Sequence, residues 1–161
     1  MILVSACLAG IPCKYHGGDN LIPEVLALVE QGKAIAVCPE ELGGLLTPRE
    51  PVDIETGDGF QVLAGHGRCL CEGGREVTAE FVQGAEKVLQ IALEKGITLA
   101  ILKERSPSCG SSRIYNRVPS ALPGVERRVV EGMGVTAALL NKNGIKVISE
   151  EQIDQGIFSK K

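Results

Sequence analysis

The chain has 161 residues, the size of one compact domain able to bury a core without help from disulfides. Its 17 Lys and Arg stand against 20 Asp and Glu, a net charge of -3, so no global basic field attracts nucleic acid. Hydrophobic residues make up 44%, yet no run approaches the ~20 apolar residues that span a bilayer, and 3% aromatic content without Trp excludes a base-stacking platform.

The apolar start MILVSACLAG has no basic segment before it and reads as a buried first strand, Ile2–Ser5, rather than a signal peptide. Pro23 then opens PEVLALVEQG, where Pro suits a first helical position, Gly32 suits the stop, and Val25, Leu26, Leu28 and Val29 form an apolar stripe. A second strand follows at Ala34–Val37. From Pro48 to Thr78 the pattern changes: Pro51, Gly57, Gly59, Gly65, Gly67 and Gly73-Gly74 punctuate short strands that include Cys69–Cys71, which predicts a small β-hairpin insertion at about 49–78. Thr78 begins a long helix whose Phe81, Val82, Ala85, Val88, Leu89, Ala92 and Leu93 recur at helical spacing until Gly96 closes it. A strand is expected over 98–102, a Ser-, Pro- and Gly-rich functional loop over 106–124, a helix over 134–143 and a last strand over 146–148. Strands alternating with helices imply parallel pairing with right-handed crossovers. The expected fold is therefore three-layer α/β, a Rossmann-like parallel sheet with helices on both faces, in a single domain 1–161 carrying the hairpin insertion.

Six cysteines in a chain with a real core point to metal or redox chemistry in a cytoplasmic protein rather than to a secreted disulfide framework. Cys7 lies two residues past the first strand, Cys38 directly follows the second, and Cys109 sits in the loop after the 98–102 strand. Ligands of open α/β sheets bind outside the carboxyl ends of the strands, so three thiols delivered there should converge on one crevice. Their spacing fits neither a ferredoxin run nor a zinc finger. Thiolates so placed suit zinc or an iron–sulfur cluster, and three Cys on a cluster leave one iron open to substrate. Glu40, two residues after Cys38, is placed to act as a base on water, with Glu41 a weaker substitute, and Ser106 is placed to orient water or donate to a ring oxygen.

The stretches SACLAGIPCKYHGG, CPEELGGLLTPREPVDI and LKERSPSCG resemble the three signature blocks of the thiouracil desulfurase family. With the flanking helices the resemblance covers most of residues 1–148. It implies a 4Fe-4S cluster on three cysteines, whose open iron accepts the sulfur of a thiocarbonyl without net redox change. By motif the implied ligands are Cys7, Cys38 and Cys109, with Cys13 as an alternative to Cys7, and the implied catalytic side chains are Glu40 and Ser106. Lys14 and His16 depart from the Arg and Asp that the family often carries there. The implied activity is sulfide-releasing desulfurisation of a small thiolated pyrimidine, thiouracil or a nucleotide, with no membrane and no nucleic-acid partner; the oligomeric state is not readable.

Arg49, Lys103, Arg105 and Arg113 follow the motif strands and would suit an anion pocket for a nucleotide phosphate. Cys69 and Cys71 read as hairpin side chains, with a second metal or an interchain pairing as the alternative. His16 and His66 lack an HxxxH or HxH partner, which argues against a His-based zinc site. Two other readings stay open: a non-catalytic iron–sulfur or metal sensor, and a thiol sulfur carrier using Cys7 and Cys13.

Overall fold

The computed structural model describes residues 1–118 and 126–153. In chain order the elements are β1 (Ile2–Ser5), a 3-10 turn (Ala6–Ala9), α1 (Pro23–Glu30), β2 (Ala34–Val37), α2 (Pro39–Leu42), β3 (Val52–Ile54), α3 (Gly59–Leu63) and β4 (Cys69–Cys71). They continue with α4 (Thr78–Glu94), β5 (Leu99–Leu102), β6 (Arg113–Val118), β7 (Glu126–Glu131), α5 (Val135–Lys142), β8 (Lys146–Ser149) and a 3-10 turn (Glu150–Gln152).

β2, β1, β5 and β8 form a parallel sheet in that order, with Ile2 opposite Ala34, Leu3 opposite Ala100 and Leu99 opposite Lys146. Side chains alternate between its two faces. Leu3, Ala100 and Leu102 pack with Val88 and Ala92 of α4 and Ala137 and Leu140 of α5. Val4, Ile101 and Ile148 pack with Leu8 and Val25 on the α1 side. Helices therefore flank both faces, as the alternating pattern predicts.

The region 49–78 is more than a hairpin. β3 and β4 do pair antiparallel, Val52 opposite Cys71, but α3 is inserted between them, capped by Asp58, whose carboxylate accepts the Phe60 N–H at 3.0 Å. β3 also pairs in parallel with β6, and β6 pairs antiparallel with β7, giving a second four-stranded sheet in the order β4-β3-β6-β7. Part of the expected 106–124 loop is therefore strand. The inward face of β6 offers Ile114 and the polar Asn116, which donates to the carbonyls of Ile54 (2.9 Å) and Gly57 (2.8 Å), so no apolar alternation announced it. Residues 119–124 lie outside the described residues.

Two close contacts fix the parts of this fold that face the site. Gly43, just past α2, and Gly84 of α4 meet backbone to backbone: a Cβ on Gly84 would sit 2.0 Å from the Pro39 carbonyl, and one on Gly43 2.0 Å from that of Glu80. α2 is thereby seated on α4. The first N–H groups of α5 have no partner within their own helix. Val135 donates to Pro107 O (2.9 Å), and Thr136 and Ala137 donate to Ser108 O (2.8 and 3.1 Å), which docks the 106–110 segment against the helix start.

Candidate active site

The carboxyl ends of β1, β2 and β5 open into a cavity of about 580 Å³. Its walls include Cys7, Cys13, Cys38, Cys109, Glu40 and Ser106, so the candidate ligands and both candidate catalytic side chains face one space. Cys7 sits in the turn that continues β1, where the backbone folds back on itself: Gly10, at φ 87°, and Asn20 both donate to the Cys7 carbonyl. A positive φ there suits glycine, which has no Cβ to clash. Cys38 is the residue before α2, and Pro39 at the first helical position turns the chain so that Glu40 follows within one turn.

The thiols are not equivalent. Cys13 is within sulfur hydrogen-bonding reach of both Cys7 and Cys38, and its single proton goes to one of them at a time. Cys7 is lowered to about 7, first by that bond from Cys13, against the opposing effect of burial and with help from the Asn20 amide, 3.5 Å from its sulfur. Cys38 is lowered for the same leading reason, and Cys13, as the donor, is raised. Cys109 is raised by its burial and then by the Glu40 charge. Among the described residues no three His, Cys, Asp or Glu side chains converge tightly enough to clasp a single metal ion.

Glu40 is clasped at both oxygens. Ser108 Oγ donates to Oε1 at 2.7 Å, and Arg49 Nη2 stands 3.8 Å from Oε2 while donating to the Cys13 carbonyl at 2.9 Å. Glu41 points elsewhere, accepting the Thr47 hydroxyl at 2.6 Å outside the cavity wall. Ser106 Oγ accepts the N–H groups of Ser108 (3.2 Å) and Cys109 (3.1 Å), which folds the segment into a tight turn around it.

Sequence reasoning passed over Glu104, which is 2% exposed and organises the same segment. Its Oε1 receives the N–H groups of Arg105, Ser111, Ser112 and Arg113, at 3.0 to 3.3 Å, and its Oε2 the Ser112 hydroxyl at 2.7 Å. Burial pushes its carboxyl up, but these donors outweigh it and hold the pKa at about 2. A Glu between Lys and Arg in LKERS looks like surface charge, and only the returning strand shows what it holds. Ser108, fully buried, was also missed; its place beside Cys109 was the available signal.

Of the four cations expected to surround an anion, Arg49, Lys103 and Arg105 line the cavity and Arg113 does not. Each of the four stands near a carboxylate: Arg49 near Glu40, Lys103 near Glu150 (3.0 Å), and Arg105 and Arg113 near Glu151. Arg127 adds a further cation to the wall, bound to the buried Asp53 at 2.7 Å. Cys69 and Cys71 lie in the core of the second sheet, away from the cavity. His16 stacks edge-on against Tyr15, and neither His16 nor His66 reaches the cavity. No helix of the described residues is long and apolar enough to cross a membrane.

A family model described as 2-thiouracil desulfurase matches residues 2–152. The chain is 45% identical over 154 residues to a Bacillus subtilis (strain 168) protein described as uncharacterized protein YbbK, covering 96% of this chain and 98% of that one. Among solved structures it is similar to the [4Fe-4S]-dependent thiouracil desulfidase TudS, with a TM-score of 0.76 and 44% identity over 94% of this chain and 91% of that one.

Proposed function

The chain belongs to the 2-thiouracil desulfurase family, and from that premise we propose that it removes sulfur from a thiocarbonyl substrate, thiouracil or a thiolated pyrimidine nucleotide, by hydrolysis that releases sulfide. The observation that carries this reading is the meeting of Cys7, Cys38 and Cys109 with Glu40 and Ser106 on one cavity at the strand ends. Its volume falls within the ~300–1,000 Å³ of small-molecule sites.

The donor set fits an iron–sulfur cluster of the kind named for TudS. Cys7, Cys38 and Cys109 are the proposed ligands. Cys7 sits in the turn that directly continues β1, whereas Cys13 lies six residues further along the chain, which favours Cys7 over Cys13 as ligand. Coordination would deprotonate Cys109 despite its burial. Bound there on three thiolates, a 4Fe-4S cluster supplies a soft Lewis-acidic iron with a free position suited to sulfur.

The protein's own groups do the rest. Glu40 takes a proton from water as the oxygen adds to the thiocarbonyl carbon, the C–S bond then breaks with both its electrons leaving on sulfur, and the proton held by Glu40 and the one left on the new oxygen pass to the sulfide, which departs as hydrogen sulfide. Oxygen replaces sulfur at the same oxidation state of carbon, so no electron donor or acceptor is needed. Ser106, whose Oγ accepts two N–H groups and shares a hydrogen bond with Ser108, acts on Glu40 through Ser108 in place of the direct contact with water or a ring oxygen that its position in the sequence suggests. Lys14, Arg49, Lys103, Arg105 and Arg127 in the wall leave room for an anionic nucleotide as well as a free base.

The test is anaerobic purification followed by iron and acid-labile sulfide analysis, with sulfide release measured from 2-thiouracil, 4-thiouracil and a thiolated pyrimidine nucleotide. Iron and labile sulfide in equal amounts with sulfide release from at least one substrate is expected. Zinc or no metal, with no release from any of them, overturns the reading.

A further inference from the structure

We propose, resting on the desulfurase reading above, that Ser108 is the positioning residue of the site: its hydroxyl joins Ser106 to Glu40 and holds the Glu40 carboxylate in its working orientation. Counting donors and acceptors gives the direction of this chain. Ser106 Oγ already accepts two backbone N–H groups, from Ser108 and Cys109, so its own proton has to be donated. Within the protein its hydroxyl partner is Ser108 Oγ, 3.1 Å away. Ser108 in turn has one proton, and its hydroxyl donates it to Glu40 Oε1 across the short 2.7 Å contact. The hydrogen bonds therefore run from Ser106 to Ser108 to Glu40, and Cys109 Sγ stands 3.5 Å from the middle hydroxyl.

Burial makes this arrangement single-valued. Ser108 is fully buried, so no bulk water competes for its hydroxyl. Glu40 Oε2 faces Arg49 from the other side, so the carboxylate is suspended between a short bond to Ser108 and a looser charge contact at 3.8 Å. Without the Ser108 hydroxyl, Arg49 alone would orient Glu40 and draw it off the 106–109 turn, and Ser106 would lose its acceptor. The main chain at Ser108 is anchored separately, by Thr136 and Ala137 N–H groups on its carbonyl, so truncating the side chain leaves the turn docked on α5.

The experiment compares Ser108→Ala, Ser108→Thr, Ser106→Ala and the Ser106→Ala/Ser108→Ala double variant in the cluster-loaded protein, alongside a crystal structure of Ser108→Ala. Ser108→Ala should keep its iron and visible absorbance and lose roughly 10- to 100-fold in kcat, with KM held within about two-fold, the scale of a misplaced reacting group. Ser108→Thr, which retains the hydroxyl, should recover most of that loss. Because the two serines act through one chain, the double variant should be little slower than the slower single variant. In the crystal structure Glu40 should have turned away from residue 108. Wild-type kcat in Ser108→Ala, multiplicative losses in the double variant, iron loss in proportion to lost rate, or an unmoved Glu40 each overturn the proposal. The Glu40 position is read without turnover, so it decides the matter even if the wild-type protein releases no sulfide and the desulfurase reading itself fails.

Discussion

Both sheets contribute walls to one cavity, and they build them from different materials. The parallel sheet is apolar through its core and places its chemistry where the strands stop, with Cys7 after β1, Cys38 after β2 and the 104–109 segment after β5. The second sheet places charge inside its strands: Asp53 of β3 is 1% exposed and receives Arg127 of β7 at 2.7 Å and Arg117 of β6 at 3.6 Å. Burial raises the Asp53 carboxyl, and the two guanidiniums counter it. Val52, Asp53, Tyr115 and Arg127 then line the same space as the thiols. Substitutions in the first wall should therefore act on chemistry, and substitutions in the second on stability and on the shape of the opening.

The largest expected effect is that of Cys109→Ala, which should abolish both brown colour and sulfide release, since the cavity offers no spare thiol on the β5 side. Iron analysis and turnover check it together, and a variant with full cluster absorbance and normal turnover removes Cys109 from the ligand set. Next comes the second wall. Asp53→Asn strips the charge that neutralises two partly buried arginines, and breaking such a pair costs about 3 kcal/mol in denaturant unfolding. Its iron content should be unchanged; iron loss would mean that the two walls are not separable.

Glu40→Gln returns to the first wall with a comparable energy in a different quantity. Its cluster should persist while kcat falls by roughly 100-fold, the scale of a lost general base. Equal turnover would leave Glu40 with only its ties to Ser108 and Arg49. A smaller effect belongs to Glu104, whose carboxyl titrates at about 2 in the fold against an ordinary 4.5. Between those values the unfolded chain binds more protons than the folded one, so the stabilisation is complete above pH 4.5 and is lost as pH falls toward 2. Glu104→Gln should cost on the order of 2 kcal/mol at neutral pH and flatten the acid limb of the stability curve. An unchanged acid limb would mean that other carboxylates set it.

The same division explains what was legible in the sequence. Ile2–Ser5 and Ala34–Val37 announce themselves as apolar runs closed by a Cys, and parallel pairing follows from the helices between them. Three strand ends were enough to bring Cys7, Cys38 and Cys109 to one cavity. β6 and β7 gave no such signal, because Arg113, Arg117 and Arg127 occupy these strands and find carboxylates and carbonyls as partners: Arg117 donates to the Cys71 carbonyl, for example. Hydrophobic periodicity cannot find a strand whose interior is polar. Glu104 and Ser108 were hidden for a related reason, since a buried carboxylate or hydroxyl is recognised by the donors gathered around it, and most of those come from residues brought close only by folding.

Cys69 gives the sharpest control on the comparison, because locally it resembles Cys109. Both thiols are buried, at 0% and 4% exposure, and both are raised by that burial, Cys69 to about 12. They differ in what they face: Cys69 packs with Ile54, Phe81 and Ile114 in the core of the second sheet, whereas Cys109 opens onto the cavity. A buried thiol in apolar surroundings behaves as a small hydrophobe, so Cys69→Ala should cost only about 1 kcal/mol. Thermal unfolding should move down by a few degrees, on the order of 2–4 °C for a chain of this size, with iron content and sulfide release as in the wild type. If Cys69→Ala instead lost iron, a thiol outside the cavity would be needed to hold it, and the separation of the two walls would fail.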